Sequence, residues 1–257
     1  MSSTNFSKAI VRTPGRSIIN GVTTSSAGKP DYKKALEQHQ HYIKTLEKCN
    51  LQVTVMEPEE EFPDSTFVED TAVLAEQCAI ITNLGIDCRK GEQVSLDSQL
   101  QKFYKNILYI KDPGTLEGGD IMRVEDHFYI GLSSRTNNEG AQQFIAFLKE
   151  YGYTGSTVSL KEMLHLKSGV AYLGDNTLVV AGEFTNNSIF KDFKRICIDV
   201  DESYAANCIR VNEYVIMPSV YAKTRNALIK AGFCVVEIDV SEFRKIDGGV
   251  SCLSLRF

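Results

Sequence analysis

The chain has 257 residues, of which 43% are hydrophobic and 24% charged, and its formal net charge is −5 at pH 7. This composition is enough for a sizeable core, its acidic balance argues against a nucleic-acid partner, and its apolar runs are too short to span a bilayer. The N-terminal stretch "MSSTNFSKAIVR" lacks a signal-peptide pattern, so we expect a cytoplasmic protein.

Five stretches share one pattern, in which small or polar residues precede a short alternating apolar strand. They are "EDTAVLAEQCAIIT" from Glu69, "GGDIMRVEDHFYIGL" from Gly118, "KSGVAYLGDNTLVVAG" from Lys167, "AANCIRVNEYVIMP" from Ala205 and "GGVSCLSLRF" from Gly248. In the first four, a polar turn and a second apolar strand follow. The pattern predicts a β-hairpin roughly every 40–50 residues.

Helical or strand-like stretches fill the intervals between these hairpins. "DYKKALEQHQHYIKTLEKC" carries Tyr42, Ile43 and Leu46 at helical spacing and precedes a strand in "LQVTVME". Similar helix–strand pairs are predicted in "SLDSQLQKFYKN" with "ILYI", "NEGAQQFIAFLKEYG" with "STVSL", and "AKTRNALIKAG" with "CVVEIDV". The interval after Ala181 fits least, because it leaves little room for a helix before "RICIDV".

Five modules of hairpin, helix and strand predict an α/β ring around a pseudo-fivefold axis, formed by residues 1–257 as a single domain. The chain stops before the last hairpin gains its second strand, and the N-terminal "SKAIVR" is a spare strand that could complete it and close the ring. The alternative is an open α/β sheet whose hairpins are similar by chance. In a ring, equivalent positions at the module starts converge near the axis.

The chain contains seven cysteines without a C-x-x-C pair, namely Cys49, Cys78, Cys88, Cys197, Cys208, Cys234 and Cys252. In a cytosolic chain an odd number favours free thiols over disulfides, and this spacing gives no local zinc signature. Free cysteines are often buried, so we expect six of them to be inert core residues. The exception is Cys252, which follows two glycines near the C-terminus.

Chemically competent side chains stand at the module starts. Glu69 and Asp70 open the first hairpin, Glu117 precedes the second, His165 stands before the third, and Cys252 lies near the start of the fifth. A thiol, an imidazole and carboxylates are the parts of a cysteine nucleophile with an acid–base histidine and an orienting acid. Each residue alone has a structural explanation, such as capping a turn, but their shared place in a repeat favours function.

Metal binding is the main rival use of these residue types. One thiol, one imidazole and three carboxylates without close ligand spacing make a poor zinc set. We therefore expect no metal and no cofactor.

Six motifs resemble those of the dimethylarginine dimethylaminohydrolases, particularly the bacterial type. They are "FVED", "PGTLEGGD", "SSRTNNEG", "HLKSG", "SYAANCI" and "KIDGGVSCLS", and the similarity runs along essentially the whole chain. This family belongs to the guanidino-group-modifying superfamily, whose fold is a five-bladed α/β propeller with pseudo-fivefold symmetry. That fold agrees with the repeat found above.

The resemblance implies hydrolysis of Nω-methylated arginines, asymmetric dimethylarginine and monomethylarginine, to citrulline and dimethylamine or methylamine. A covalent thiouronium intermediate on the cysteine is implied with it. Cys252 matches the nucleophile, His165 the general acid/base and Glu117 its partner. The implied substrate-binding residues are Glu69 and Asp70 for the guanidinium, Arg89 and Arg135 for the α-carboxylate, Asp64 with the main chain near Val22 and Ile246 for the α-amino end, together with Phe67 and Ser251.

Two features set the limits of the resemblance. The bacterial pattern has "TRPG" where this sequence has "TNLG", which puts the shape of that loop and the preferred methylation state in doubt. The stretch "NGVTTSSAGK" from Asn20 matches a mobile lid, and its glycine and serine content suits a loop that opens and closes.

The closest rival is arginine deiminase, whose motif at the histidine is typically His-x-Asp, whereas this chain has Lys167 at that place. A missing carboxylate leaves fewer acceptors for an unsubstituted guanidinium and more tolerance for methyl groups. A catalytically inactive guanidinium-binding protein is the second alternative. For partners we expect a small-molecule substrate, no nucleic acid and no membrane, and we also expect a homodimer because soluble enzymes often form one.

Overall fold

The computed structural model describes residues 3–257, which form fifteen strands and six α-helices. The strands are β1 (Lys8–Arg12), β2 (Gln52–Met56), β3 (Ala72–Leu74), β4 (Ala79–Ile81), β5 (Ile107–Tyr109), β6 (Ile121–Val124), β7 (His127–Leu132), β8 (Thr154–Ser159), β9 (Val170–Tyr172), β10 (Thr177–Val180), β11 (Lys194–Cys197), β12 (Ile209–Val211), β13 (Tyr214–Pro218), β14 (Cys234–Ile238) and β15 (Leu255–Arg256). The helices are α1 (Tyr32–Lys48), α2 (Gln93–Leu100), α3 (Asn138–Glu150), α4 (Leu166–Gly169), α5 (Ala222–Lys230) and α6 (Ser241–Arg244). Within these residues no helix is long and apolar enough to cross a membrane.

The strands form five separate three-stranded sheets, each with the same topology. The middle strand pairs antiparallel with one neighbour through a hairpin and parallel with the other through a crossover, as β4 does with β3 and β5. The pattern recurs around β7, β10 and β13. The five predicted modules, and with them the five-bladed propeller, are confirmed. The open-sheet alternative is wrong.

The fifth sheet joins the two ends of the chain. β1 pairs antiparallel with β15, with Ala9 opposite Arg256, and parallel with β2. The predicted spare strand therefore serves as the missing half of the last hairpin. This closure leaves the C-terminal strand paired and fixes the position of the turn that precedes it, which carries Cys252.

The helices in the crossovers follow their local sequence signals. α1 begins after Asp31, whose side chain accepts a hydrogen bond from the N–H of Lys34, and α3 begins after Asn137, which caps Gly140 in the same way. The interval after Ala181 contains two 3₁₀ turns in place of a long helix, as its length predicts. The propeller tolerates this difference because each blade needs only a parallel crossover.

The expectation that six cysteines pack in the core is half wrong. Cys49, Cys78 and Cys208 are buried, whereas Cys88, Cys197 and Cys234 are exposed. Two of the exposed cysteines lie at the outer edges of blades, at the end of β11 and the start of β14, where one face of the strand meets solvent. All seven thiols are free, which agrees with the predicted absence of disulfides.

Candidate active site

The starts of four modules meet at the axis through short turns. The 3₁₀ turns Val68–Thr71, Gly118–Asp120 and Ser251–Leu253 and the helix α4 each precede the first strand of a hairpin. A Cβ atom on Gly119 would lie 2.8 Å from both Asp70 Oδ1 and His165 Nδ1. Glycine is therefore required here because any side chain would separate these two groups.

A small cavity of about 30 Å³ lies between these turns. Nine of the twelve residues proposed from the sequence line it: Val22, Asp64, Phe67, Asp70, Arg89, Arg135, His165, Ile246 and Cys252. Cys252 and His165 are 9% and 8% exposed, so both reacting groups are almost shielded from solvent. The thiol and the imidazole, 87 positions apart in the chain, thus face one cavity, as the ring geometry predicts.

Glu117 lies behind His165 and is fully buried. Its Oε2 is 2.8 Å from His165 Nε2, and its Oε1 accepts the N–H of Gly85 at 3.1 Å and lies 3.4 Å from Arg135 Nη1. Burial alone would lower the pKa of His165, but the charges of Asp70 and Asp120 and the Glu117 hydrogen bond together raise it to about 9. The imidazole is therefore protonated at neutral pH.

Asp70 is the carboxylate nearest the cavity wall. Its Oδ1 accepts the N–H of Gly119 at 3.0 Å, and its Oδ2 lies 2.8 Å from Arg89 Nη1. Burial opposes ionisation of Asp70, but the positive charges of His165 and Arg89 lower its pKa. Arg89 is held from its other side by Glu92, which accepts from both Nε and Nη2. Asp70 is thus a fixed anion beside the cavity.

The thiol of Cys252 has one backbone donor close by, since the N–H of Gly249 lies 3.4 Å from Sγ. Burial and the negative charges of Glu69 and Asp70 raise the pKa of this thiol, which outweighs the opposite effects of that N–H and of Lys167. The sulfur is therefore neutral at physiological pH while the cavity holds no cation.

Glu69 and Ser251 do not line the small cavity. Glu69 Oε1 lies 2.6 Å from Lys167 Nζ and 3.2 Å from Arg256 Nη2, and its Oε2 accepts the Ser251 hydroxyl at 2.7 Å. These four residues line a second cavity of about 660 Å³, which Cys252 and His165 do not line. The larger cavity therefore lies apart from the thiol, and the Glu69 ion pairs form part of its wall.

The segment of residues 20–29 covers the small cavity. The N–H of Val22 is 3.1 Å and 3.2 Å from the two carboxylate oxygens of Asp64, and Asp247 Oδ2 accepts both the N–H and the hydroxyl of Thr24. A volume of 30 Å³ holds about one or two waters, whereas ligand sites usually measure several hundred Å³. An amino acid enters only when this segment moves.

Several functional contacts have no clear signal in the sequence. Leu164, Asp247 and Gly248 line the small cavity, and Asn207 bonds to the backbone N–H and hydroxyl of Ser251 from 44 positions away. Glu92 is different, because its i,i+3 spacing from Arg89 could have predicted the ion pair.

Asp70, Glu117 and His165 place one donor atom each within 4.8 Å of one another, a spacing that a metal ion could bridge. A metal requires a neutral imidazole with a free lone pair. The raised pKa of His165 and its bond to Glu117 keep that ring protonated instead. The set is better suited to hold an imidazolium between carboxylates.

A five-bladed α/β propeller whose axis holds a thiol, an imidazole and buried carboxylates defines the guanidino-group-modifying class of proteins. The family model described as "N,N dimethylarginine dimethylhydrolase, eukaryotic" matches residues 23–255. The chain is 54% identical over 253 residues to the N(G),N(G)-dimethylarginine dimethylaminohydrolase of Pseudomonas aeruginosa, a match that covers 98% of this chain and 100% of that protein. The chain belongs to the dimethylarginine dimethylaminohydrolase family.

Two solved structures of such proteins superpose on it. One is a cysteine-to-serine mutant of the Pseudomonas aeruginosa protein complexed with citrulline, at a TM-score of 0.97 and 53% identity, with 98% of this chain and 99% of that chain covered. The other is a histidine-to-glycine variant of a dimethylarginine dimethylaminohydrolase, an adduct with S-methyl-L-thiocitrulline, also at a TM-score of 0.97 and 53% identity and with 98% and 100% covered.

Proposed function

We propose that this protein hydrolyses Nω-methylated arginines to citrulline and dimethylamine or methylamine. The observation that carries the proposal is the meeting of Cys252, His165 and Asp70 at one buried cavity, in a chain 54% identical to a dimethylarginine dimethylaminohydrolase. A guanidinium is a delocalised cation and a weak electrophile, so its hydrolysis needs a strong nucleophile, a proton donor for the leaving amine and anions that hold the cation. The cavity supplies each of these.

Substrate binding creates the nucleophile. In the empty site the Cys252 thiol is neutral because burial and neighbouring carboxylates raise its pKa. A guanidinium placed beside the sulfur supplies the opposite charge and lowers that pKa, as does the imidazolium of His165. The thiolate therefore forms where and when its electrophile is in place.

His165 then transfers protons in both half-reactions. The sulfur attacks the guanidinium carbon, and the imidazolium protonates the departing amine as the carbon–nitrogen bond breaks, which leaves a thiouronium on Cys252. The neutral imidazole next takes a proton from water, whose oxygen attacks the same carbon, and the carbon–sulfur bond breaks to release citrulline. Glu117, 2.8 Å from Nε2, holds the ring in place for both steps.

The remaining residues bind the substrate. Asp70 faces the cavity and pairs with the guanidinium, whereas Glu69 contributes negative charge from behind the turn. Arg89 and Arg135 hold the α-carboxylate, and Asp64 with the lid backbone holds the α-amino group. Phe67, Ile246, Val22 and Ser251 complete the enclosure through contacts with the substrate or with the residues that bind it.

Citrulline formation from asymmetric dimethylarginine and from arginine tests the proposal, with Cys252→Ser as the matched control. We expect turnover of the methylated substrate, much less of arginine, and none by Cys252→Ser, which differs by one atom and keeps the fold. Preferred turnover of arginine would instead support a deiminase, and binding without turnover would support a guanidinium-binding protein. The ion pair of Lys167 with Glu69 favours the first outcome, since a lysine there removes a carboxylate that would serve an unsubstituted guanidinium.

We also propose that residues 1–257 act as a single catalytic domain in the cytoplasm, as a homodimer. Pairing of the first strand with the last supports one folding unit, although residues 1 and 2 lie outside the described residues. Sedimentation equilibrium measures the oligomeric state, and a monomer at micromolar concentration would contradict the homodimer.

A further inference from the structure

Asp120 is a buried carboxylate outside the small cavity. It is 0% exposed and accepts three hydrogen bonds. Its Oδ2 lies 2.7 Å from the hydroxyls of Ser133 and Thr136, and its Oδ1 accepts the N–H of Leu166 at 3.0 Å. A buried anion with this many donors is fixed in position, and so are the donors.

Two of these donors belong to the segment that carries Arg135. The Ser133 hydroxyl oxygen accepts the N–H of Arg135 at 3.0 Å, and the Thr136 hydroxyl oxygen accepts the N–H of Glu117 at 3.1 Å. Asp120 thus fixes the loop of Arg135 and, through one hydroxyl, the backbone of Glu117.

The third donor fixes the histidine. Leu166 is the first residue of α4 and directly follows His165, so its bond to Asp120 sets where the imidazole leaves the backbone. The same carboxylate belongs to the 3₁₀ turn that follows Glu117. Asp120 therefore joins the backbone segments of an acid–base residue, its partner and a substrate-binding arginine.

Asp120 also contributes charge. Among the residues that the structure describes, no lysine or arginine forms an ion pair with it, and its positive charge acts instead on His165 through space. The ring faces other groups as well: the carboxylates of Asp70 and Glu117, the guanidinium groups of Arg89 and Arg135, and the thiol of Cys252. Asp70 and Asp120 make the two largest favourable contributions to the charged ring, so Asp120 is part of the reason that it is protonated.

We propose that Asp120 is a positioning residue for the reaction, whose carboxylate sets Glu117, Arg135 and His165 relative to one another and keeps the imidazole charged. The inference rests on the proposed function for its kinetic consequences. Its electrostatic part concerns the folded protein alone and is measured without substrate.

Asp120→Asn tests the proposal because it keeps the shape and removes the charge. The chain has four histidines, and the ring signals of His165 in NMR spectra are assigned by their loss in His165→Gln. We expect its titration midpoint to lie near pH 9 in the wild type and at lower pH in Asp120→Asn. We also expect kcat to fall by about 10²-fold, as misplacement of a catalytic group produces, with a raised KM and a pH–rate profile displaced in the same direction.

Glu202→Gln is the matched control. Glu202 is also buried and also accepts three hydrogen bonds, from Lys223 N–H and from the N–H and hydroxyl of Thr224. We expect it to lose stability while the His165 titration, kcat and KM stay at wild-type values. An unchanged His165 titration and unchanged kinetics in folded Asp120→Asn would overturn the proposal.

A second variant covers the case in which Asp120→Asn does not fold. Thr136→Val keeps the volume and removes the hydroxyl between Asp120 and Glu117; wild-type kcat and KM there would overturn the positioning role, and reduced kcat would support it. If the wild type forms no citrulline yet His165 titrates lower in Asp120→Asn, the proposed function fails while the electrostatic role of Asp120 stands.

Discussion

The ion pair of Lys167 with Glu69 allows a quantitative test of the site's electrostatics. The Nζ–Oε1 distance is 2.6 Å, and the two side chains are 18% and 4% exposed. Two unit charges at that distance attract by about 6 kcal/mol at an effective dielectric constant of about 20, and the loss of hydration offsets much of this. Lys167→Met removes the charge and keeps an unbranched side chain.

Removal of one partner of a buried pair destabilises a fold by about 3–5 kcal/mol, because the other charge stays buried. Glu69 would retain Arg256 at 3.2 Å and the Ser251 hydroxyl at 2.7 Å. We therefore expect the lower end, a loss of about 3 kcal/mol. In the control Lys223→Met, the lost pairs with Asp199 and Asp201 are about 60% exposed, so the loss should be about 0–1 kcal/mol.

Urea unfolding followed by circular dichroism measures both losses, with the slope against denaturant as a check that the unfolded states are comparable. The double variant Lys167→Met with Glu69→Gln should recover part of the stability, because it no longer buries an unpaired carboxylate. If Lys167→Met is no more destabilising than Lys223→Met, the reasoning that Glu69 depends on this lysine is refuted.

Three further predictions concern binding, pH and the lid. Arg135→Gln should raise KM by roughly 10–100-fold, the worth of a hydrogen bond to a charged group, and lower kcat less; steady-state kinetics decide, and an unchanged KM would remove Arg135 from carboxylate binding. Because the pKa of His165 is raised from 6.5 to about 9, its charge stabilises the fold fully below pH 6.5, and this contribution, on the order of 3 kcal/mol, disappears as pH rises through 9. Urea unfolding should thus show that His165→Gln is more destabilising at pH 6 than at pH 9.5, and a constant difference would contradict the assigned charge. Asp247→Asn weakens the bonds to Thr24 and keeps a residue that tolerates the positive φ at this position; iodoacetamide should then label Cys252 faster in the empty protein, whereas an unchanged rate would show that the lid does not depend on Asp247.

The repeat made the fold predictable from sequence. Apolar alternation, polar turns and helical spacing are local signals, and their recurrence fixed the number of blades and the role of the N-terminal strand. The module starts carry the site, so the convergence of His165 with Cys252 also followed from the ring. The roles of individual residues came from the resemblance and stay predictions.

Contacts between distant turns could not be predicted in this way. Asp120 reads as one more acid after two glycines, and only the structure shows that Ser133 and Leu166 meet it. The placement of Glu69 on a different cavity from Asp70 was also hidden, because two consecutive residues in a 3₁₀ turn point in different directions. Burial of exposed cysteines was misjudged because composition does not specify which end of a strand meets solvent.

The features that build the axis also control the chemistry. Close packing at Gly119 forces Asp70 and His165 together in a cavity with room for about one or two waters, and this burial raises the pKa of the Cys252 thiol. A thiol kept neutral in the empty site reacts slowly with adventitious electrophiles, while a cationic substrate removes the obstacle by its own charge. Selectivity for a guanidinium over a neutral amide then arises at the ionisation of the sulfur, before any bond to carbon forms.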